Sequence, residues 1–120
     1  MIRSYKDLKV YNKSYEMCIK IYKYAMNLPK EESYCLSSQM KRASMSIPLN
    51  IAEGYAKREN TAEFKRFLLM SLGSSSEMQV LLDMCKDLRF MEESECKFYK
   101  EEYDEISKML RGLINKWSRF

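Results

Sequence analysis

Apolar residues recur every three or four positions along nearly the whole chain, and the runs in which they do so predict four long helices. In the first, from about Ser4 to Met26, Leu8, Tyr11, Tyr15, Cys18, Tyr22 and Ala25 form the seam expected to face a core. Asn27-Leu28-Pro29 ends it, because proline cannot continue the hydrogen-bond ladder. The second, from about Glu32 to Tyr55, sets Leu36, Met40, Ala43, Ile47, Ile51 and Gly54 on one side. A polar row, Gln39, Arg42, Ser46, Asn50 and Glu53, follows the same spacing roughly 90° round the helix. A surface helix ordinarily has one apolar face and one solvated face. An ordered polar row beside the seam instead predicts a structural cluster, in which an Arg–Glu pair and an Asn fix helix register. Pro48 falls inside this helix, where it removes a donor and crowds the carbonyl of Ser44, at a cost of about 3 kcal/mol. The apolar period runs through it, which predicts a kink rather than a break.

Asn60-Thr61-Ala62-Glu63 reads as a capping box opening the third helix, which runs to about Leu88. Its expected core face is Phe64, Phe67, Leu68, Ser71, Ser75, Met78, Leu82 and Cys85, with the small Ser71, Ser74 and Ser75 allowing close helix approach. The fourth starts near Glu92 to Ser94, acidic where the helix dipole favours it, and steps through Tyr99, Tyr103, Ile106, Leu110 and Leu113 to Trp117. Short connections make consecutive helices antiparallel neighbours. The expected fold is an all-α, up-down-up-down four-helix bundle, one domain over residues 1–120.

Two helices carry more apolar surface than one core uses. Leu69, Gly73, Ser76, Val80 and Met84 form a second stripe roughly opposite the first on the third helix, and Met45, Pro48 and Ala52 point away from the predicted core on the second. Aligned stripes on adjacent helices predict an interface, and separate patches suit head-to-tail contact between copies.

Composition narrows the chemistry. Only three Gly and two Pro punctuate 120 residues, as an all-helical chain requires. Charged residues interrupt the N-terminus at once and no run suits a membrane span, so a cytoplasmic protein without membrane association is expected. Histidine is absent and the four cysteines, Cys18, Cys35, Cys85 and Cys96, form no C-x-x-C pair. Reduced, structural thiols are expected, with no metal, no cofactor and no catalytic residue. The polar row on the second helix lacks a tunable base, which argues against catalysis there.

The net charge is +4, yet residues 1–30 hold seven basic groups against two acidic ones, a surplus of five that assigns the excess to the first helix. Lys6, Lys9, Lys13, Lys20 and Lys23 cluster there, opposite the expected seam. Such a face can neutralise phosphates and release their counterions. Lys41-Arg42, Lys57-Arg58 and Lys65-Arg66 add basic pairs. With no base-reading motif, backbone contact is expected.

The run Gln39-Met40-Lys41-Arg42-Ala43 through Ser46-Ile47 and Asn50-Ile51-Ala52-Glu53-Gly54 resembles the signature of the 23S ribosomal RNA intervening-sequence proteins, the four helix bundle protein family. Glu63-Phe64 with Phe67-Leu68, Gly73-Ser74 with Glu77, Tyr5-Lys6-Asp7-Leu8 with Val10-Tyr11, and Leu88-Arg89-Phe90 fit the same pattern, so the likeness spans essentially the whole chain. The resemblance implies a small bundle encoded within some bacterial 23S rRNA genes or elsewhere. A related group, the accessory variability determinants of diversity-generating retroelements, implies a homopentameric ring that binds RNA or DNA beside a reverse transcriptase. Residues and resemblance together lead to the expectation of a non-enzymatic, homo-oligomeric, pentameric scaffold for nucleic acid. The alternative is a protein-interaction module that does not touch nucleic acid.

Overall fold

A computed structural model describes residues 2–117. Four helices account for most of them: α1 (Lys9–Met26), α2 (Leu36–Ala56), α3 (Thr61–Asp87) and α4 (Glu93–Trp117). The body is elongated, 46 × 24 × 21 Å, as helices of about five to seven turns packed side by side must be. Each helix packs on the next in sequence, and α1 closes on α4 more sparingly. Side-chain contacts fix which parts meet. Ser37 at the start of α2 donates to the Ala25 carbonyl at the end of α1, Cys85 near the end of α3 lies 3.5 Å from Met40 near the start of α2, and Phe64 at the start of α3 meets Trp117 at the end of α4.

The first helix begins later than its periodicity predicts. Ser4 caps a single 3₁₀ turn, Tyr5–Asp7, and Asp7 returns the bond to the Ser4 backbone. Leu8 is then extended, which drops its side chain into the core before α1 starts, and the Asn12 amide donates to the Lys6 and Leu8 carbonyls. The expected seam of α1 is also rotated. Leu8, Cys18 and Ala25 are buried, but so are Val10, Ser14, Met17 and Ile21, whereas Tyr15 and Tyr22 lie on the surface and Tyr11 is half-buried. Tyrosine keeps its hydroxyl wet and its ring against apolar neighbours. That suits the edge of a seam better than its centre.

The expected core faces of α2 and α3 are buried throughout: Leu36, Met40, Ala43, Ile47, Ile51 and Gly54 on one, Phe64, Phe67, Leu68, Ser71, Ser75, Met78, Leu82 and Cys85 on the other. α2 runs unbroken through Pro48. Gly54 allows its C-terminal turns to lie against α3, since a Cβ there would sit 2.6 Å from the Cβ of Phe67. Buried serines bridge the helices. Ser71 donates to the Ile47 carbonyl at 2.9 Å, and Ser75 to the Tyr103 carbonyl at 3.0 Å beside Ser107 at 2.8 Å. Hydroxyls this small let backbones approach while their own donors stay paired.

Candidate functional site

The polar row of α2 is only partly a cluster. Ser46 and Asn50 are joined, the Asn50 amide donating to the Ser46 carbonyl and hydroxyl, and Ser74 of α3 donates to the same hydroxyl at 2.9 Å. Gln39, Arg42 and Glu53 are exposed and take no part. The expected Arg–Glu register pair does not form, because both side chains point to solvent, where an ion pair would contribute little.

The stripe on α3 is uncovered along its length. Leu69, Val80 and Met84 are each about half exposed, Gly73 and Ser76 lie between them, and Met70 widens the row. A Cβ on Gly73 would meet nothing within 4 Å. Glycine in a helix interior costs about 1 kcal/mol against alanine, and packing within this chain supplies no reason for it. Across the molecule, α1 and α2 enclose an apolar trough of about 450 Å³. Tyr11, Tyr15, Ile19 and Tyr22 form one wall and Met45, Leu49 and Ala52 the other, with Pro48 buried at the floor. Met45 and Ala52 therefore face the trough, and Pro48 packs within the bundle rather than pointing clear of it.

The lysine row of α1 is interrupted at its middle. Lys13 pairs with Glu102 of α4, and the Lys20 ammonium lies 5.8 Å from the Phe98 ring. Lys6, Lys9 and Lys23 are exposed, but Lys6 and Lys9 lie at one end of the bundle and Lys23 near the other. Charge instead gathers by end. Where α2 turns into α3, Tyr55, Phe64 and Trp117 stack edge to face, at 6.2 Å and 4.7 Å, and the start of the chain closes against the last turns of α4. That end holds Arg3, Lys6 and Lys9, then Lys57 and Arg58, Lys65 and Arg66, and Lys116, against Asp7, Glu53, Glu59 and Glu63. Eight basic groups against four acidic ones leave four positive charges, equal to the +4 of the entire chain. The other described residues hold twelve basic groups against thirteen acidic ones.

Residues 6–112 match the family model described as 23S rRNA-intervening sequence protein. The chain belongs to that family. This 23S rRNA-intervening sequence protein is similar to the crystal structure of a protein with unknown function from the S23 ribosomal protein family of Bacteroides thetaiotaomicron VPI-5482. The two share 25% identity over 88% of this chain and 97% of that one, with a TM-score of 0.77. No curated protein matches the chain.

The remaining chemistry of this intervening-sequence protein is quiet. Burial pushes the Cys85 thiol up to about 11, helped by the nearby Cys96 and Glu32, and burial likewise raises Cys18 and Cys96. A reactive cysteine needs the opposite shift. Among the described residues no group of three or more His, Cys, Asp or Glu is placed to hold a metal ion, and no helix is long and apolar enough to cross a membrane. Sequence reasoning missed the tyrosine wall of the trough and the basic end. The first was hidden by counting tyrosine as core. The second depends on which helix ends converge, which spacing along one helix does not reveal.

Proposed function

We propose that this protein is a non-enzymatic, self-associating scaffold that binds RNA or DNA through its basic surface. The observation that carries the reading is the pair of uncovered apolar surfaces on different sides of one chain, the trough of α1 and α2 and the ridge of α3. Apolar rows of this length on a charged protein are ordinarily covered by a partner. A concave surface and a convex one on the same subunit suit head-to-tail contact, which closes into a ring when the rotation allows, as in the pentamer implied by the family resemblance. Gly73 fits the same picture, since it leaves room on the ridge for a neighbouring backbone. A ring would set its basic ends side by side and multiply a weak contact with phosphates.

Native mass spectrometry and light scattering test the assembly. The wild type is expected to be an oligomer with a single subunit number. Leu69→Glu with Val80→Glu should give a helical monomer, because both side chains are exposed and contribute little to the single-chain core. A wild-type chain that stays monomeric at high concentration would overturn self-association and favour the alternative, an interaction module whose apolar faces engage another protein.

A further inference from the structure

We infer that the phosphate backbone of a nucleic acid is held at one end of the bundle, on Lys57, Arg58 and Lys65, and not on the lysines of α1. This rests on the nucleic-acid reading above and assigns it a place. The first support is the distribution of charge. Among the described residues a surplus of four positive charges lies at the end where α2 passes into α3, and the others together sum to −1. At physiological ionic strength exposed charges act over about 8 Å. A phosphate approaching the bundle therefore responds to the local balance and not to the net charge. On α1 Lys13 is already paired with Glu102, and Lys20 and Lys23 lie towards the other end of the bundle, apart from this concentration of charge.

The second support is how the cations at this end are held. The Arg58 guanidinium lies 4.2 Å over the Tyr55 ring and donates Nη1 to the Tyr55 carbonyl at 3.0 Å. The Lys57 ammonium lies 4.8 Å from the Phe67 ring. Neither is matched to a carboxylate, and Lys65, one turn into α3, has no acidic partner either among the described residues. Arg66 differs. It also rests on Phe67, but its Nε and Nη2 are both given to Glu63. Aromatic faces and a backbone carbonyl restrict Lys57 and Arg58 without neutralising them, so less side-chain freedom is lost when a phosphate arrives. Four of the five N–H donors of Arg58 remain after the bond to Tyr55.

The same geometry sets what is recognised. Tyr55 and Phe67 are buried and their faces are occupied by the cations, so neither ring is open for a base to stack on. Single-strand binders that stack bases need such rings. Here the contact is with phosphodiester oxygens, common to RNA and DNA and carrying no sequence information.

Fluorescence anisotropy over a salt series tests the assignment, with a single-stranded RNA, an RNA duplex and a DNA duplex of mixed sequence as probes. The wild type is expected to bind with an affinity that falls steeply with salt. K57E/R58E/K65E should lose about a hundredfold in affinity at 0.1 M salt and flatten the logarithmic salt slope by about 2 to 3. K20E/K23E/K86E, the same change in net charge placed towards the other end, should stay within about twofold of wild type. Alanine versions of both triples, checked by circular dichroism, guard against misfolding. Equal losses in the two triples would mean that overall charge and not the end binds, and normal binding by K57E/R58E/K65E would remove the site outright; either overturns this inference while sparing the nucleic-acid reading. A wild type that binds none of the probes, or binds only phosphatidylserine vesicles, overturns both.

Discussion

Arg89 has φ of 64°, a left-handed conformation that L side chains rarely adopt. It occupies the position after the C-cap of α3, where the Arg89 N–H bonds to the Lys86 carbonyl and the Phe90 N–H to that of Cys85. This is the pairing that satisfies the last carbonyls of a helix, and glycine is the usual residue at its centre. The turn brings the Phe90 carbonyl under the Tyr24 hydroxyl, which donates to it. Arg89→Gly is therefore expected to stabilise the fold by about 0.5–1 kcal/mol, read as a higher urea midpoint at unchanged slope. A lower midpoint would mean that the arginine side chain contributes more than its backbone costs. Tyr103 presents the opposite case. It is fully buried, its hydroxyl has no partner among the described residues, and burial drives its pKa upward. An unpaired buried hydroxyl costs about 1–3 kcal/mol. Tyr103→Phe keeps the ring and removes that cost, so thermal unfolding should shift upward or stay level. A fall of several degrees would mean that the hydroxyl is paired after all.

The helices were legible to unequal degrees, and the reasons are physical. On α3 every expected core residue is buried, because the stripe with Phe64, Phe67, Leu68, Met78 and Leu82 carries more large apolar side chains than the second row, which Gly73 and Ser76 dilute. On α1 two stripes one residue apart compete. Val10, Met17 and Ile21 beside Ser14 face the core, and Tyr11, Tyr15 and Tyr22 lie about 100° away at its edge. Periodicity cannot choose between two apolar rows; the choice is made by Ser14, which is small enough to be buried with its hydroxyl given to the Tyr11 carbonyl. At the start of α3 half of the expected capping box is present. Asn60 accepts from the Glu63 N–H, but the Glu63 carboxylate turns outward to Arg66, and the Asn60 N–H is taken by the Lys57 carbonyl. The α3–α4 seam depends on Ser75, whose hydroxyl touches both the Tyr103 carbonyl and Ser107. Ser75→Ala should cost about 1 kcal/mol for the lost bond. Ser75→Val should cost about 1–3 kcal/mol, because one methyl replaces the hydroxyl and a second, with no space left for it, forces the helices apart. Equal small losses for both, measured by chemical denaturation, would show that the seam has room to spare.

At the scale of the whole molecule, fold and surface divide the sequence between them. The buried faces of α2 and α3 hold the bundle together, while the ridge of α3 and the trough of α1 and α2 are left to other work. Tyrosines provide a way to read that work directly. Tyr34, in the connection before α2, is 99% exposed, whereas Tyr15 and Tyr22 are 51% and 38% exposed on the wall of the trough. If the ridge of a second copy fills the trough, assembly must shield Tyr15 and Tyr22 and leave Tyr34 open. Nitration of the assembled protein, mapped by mass spectrometry, should then modify Tyr34 readily and Tyr15 and Tyr22 slowly. In the variant carrying Leu69→Glu and Val80→Glu the two trough tyrosines should become reactive, with Tyr34 unchanged as the internal reference. The alteration lies on α3 and the readout on α1, so a gain in reactivity cannot come from the substituted residues themselves. It must report the departure of a neighbouring chain. Tyr15 and Tyr22 that react equally fast in both proteins would mean that the trough stays open in the assembly and that copies meet through some other surface.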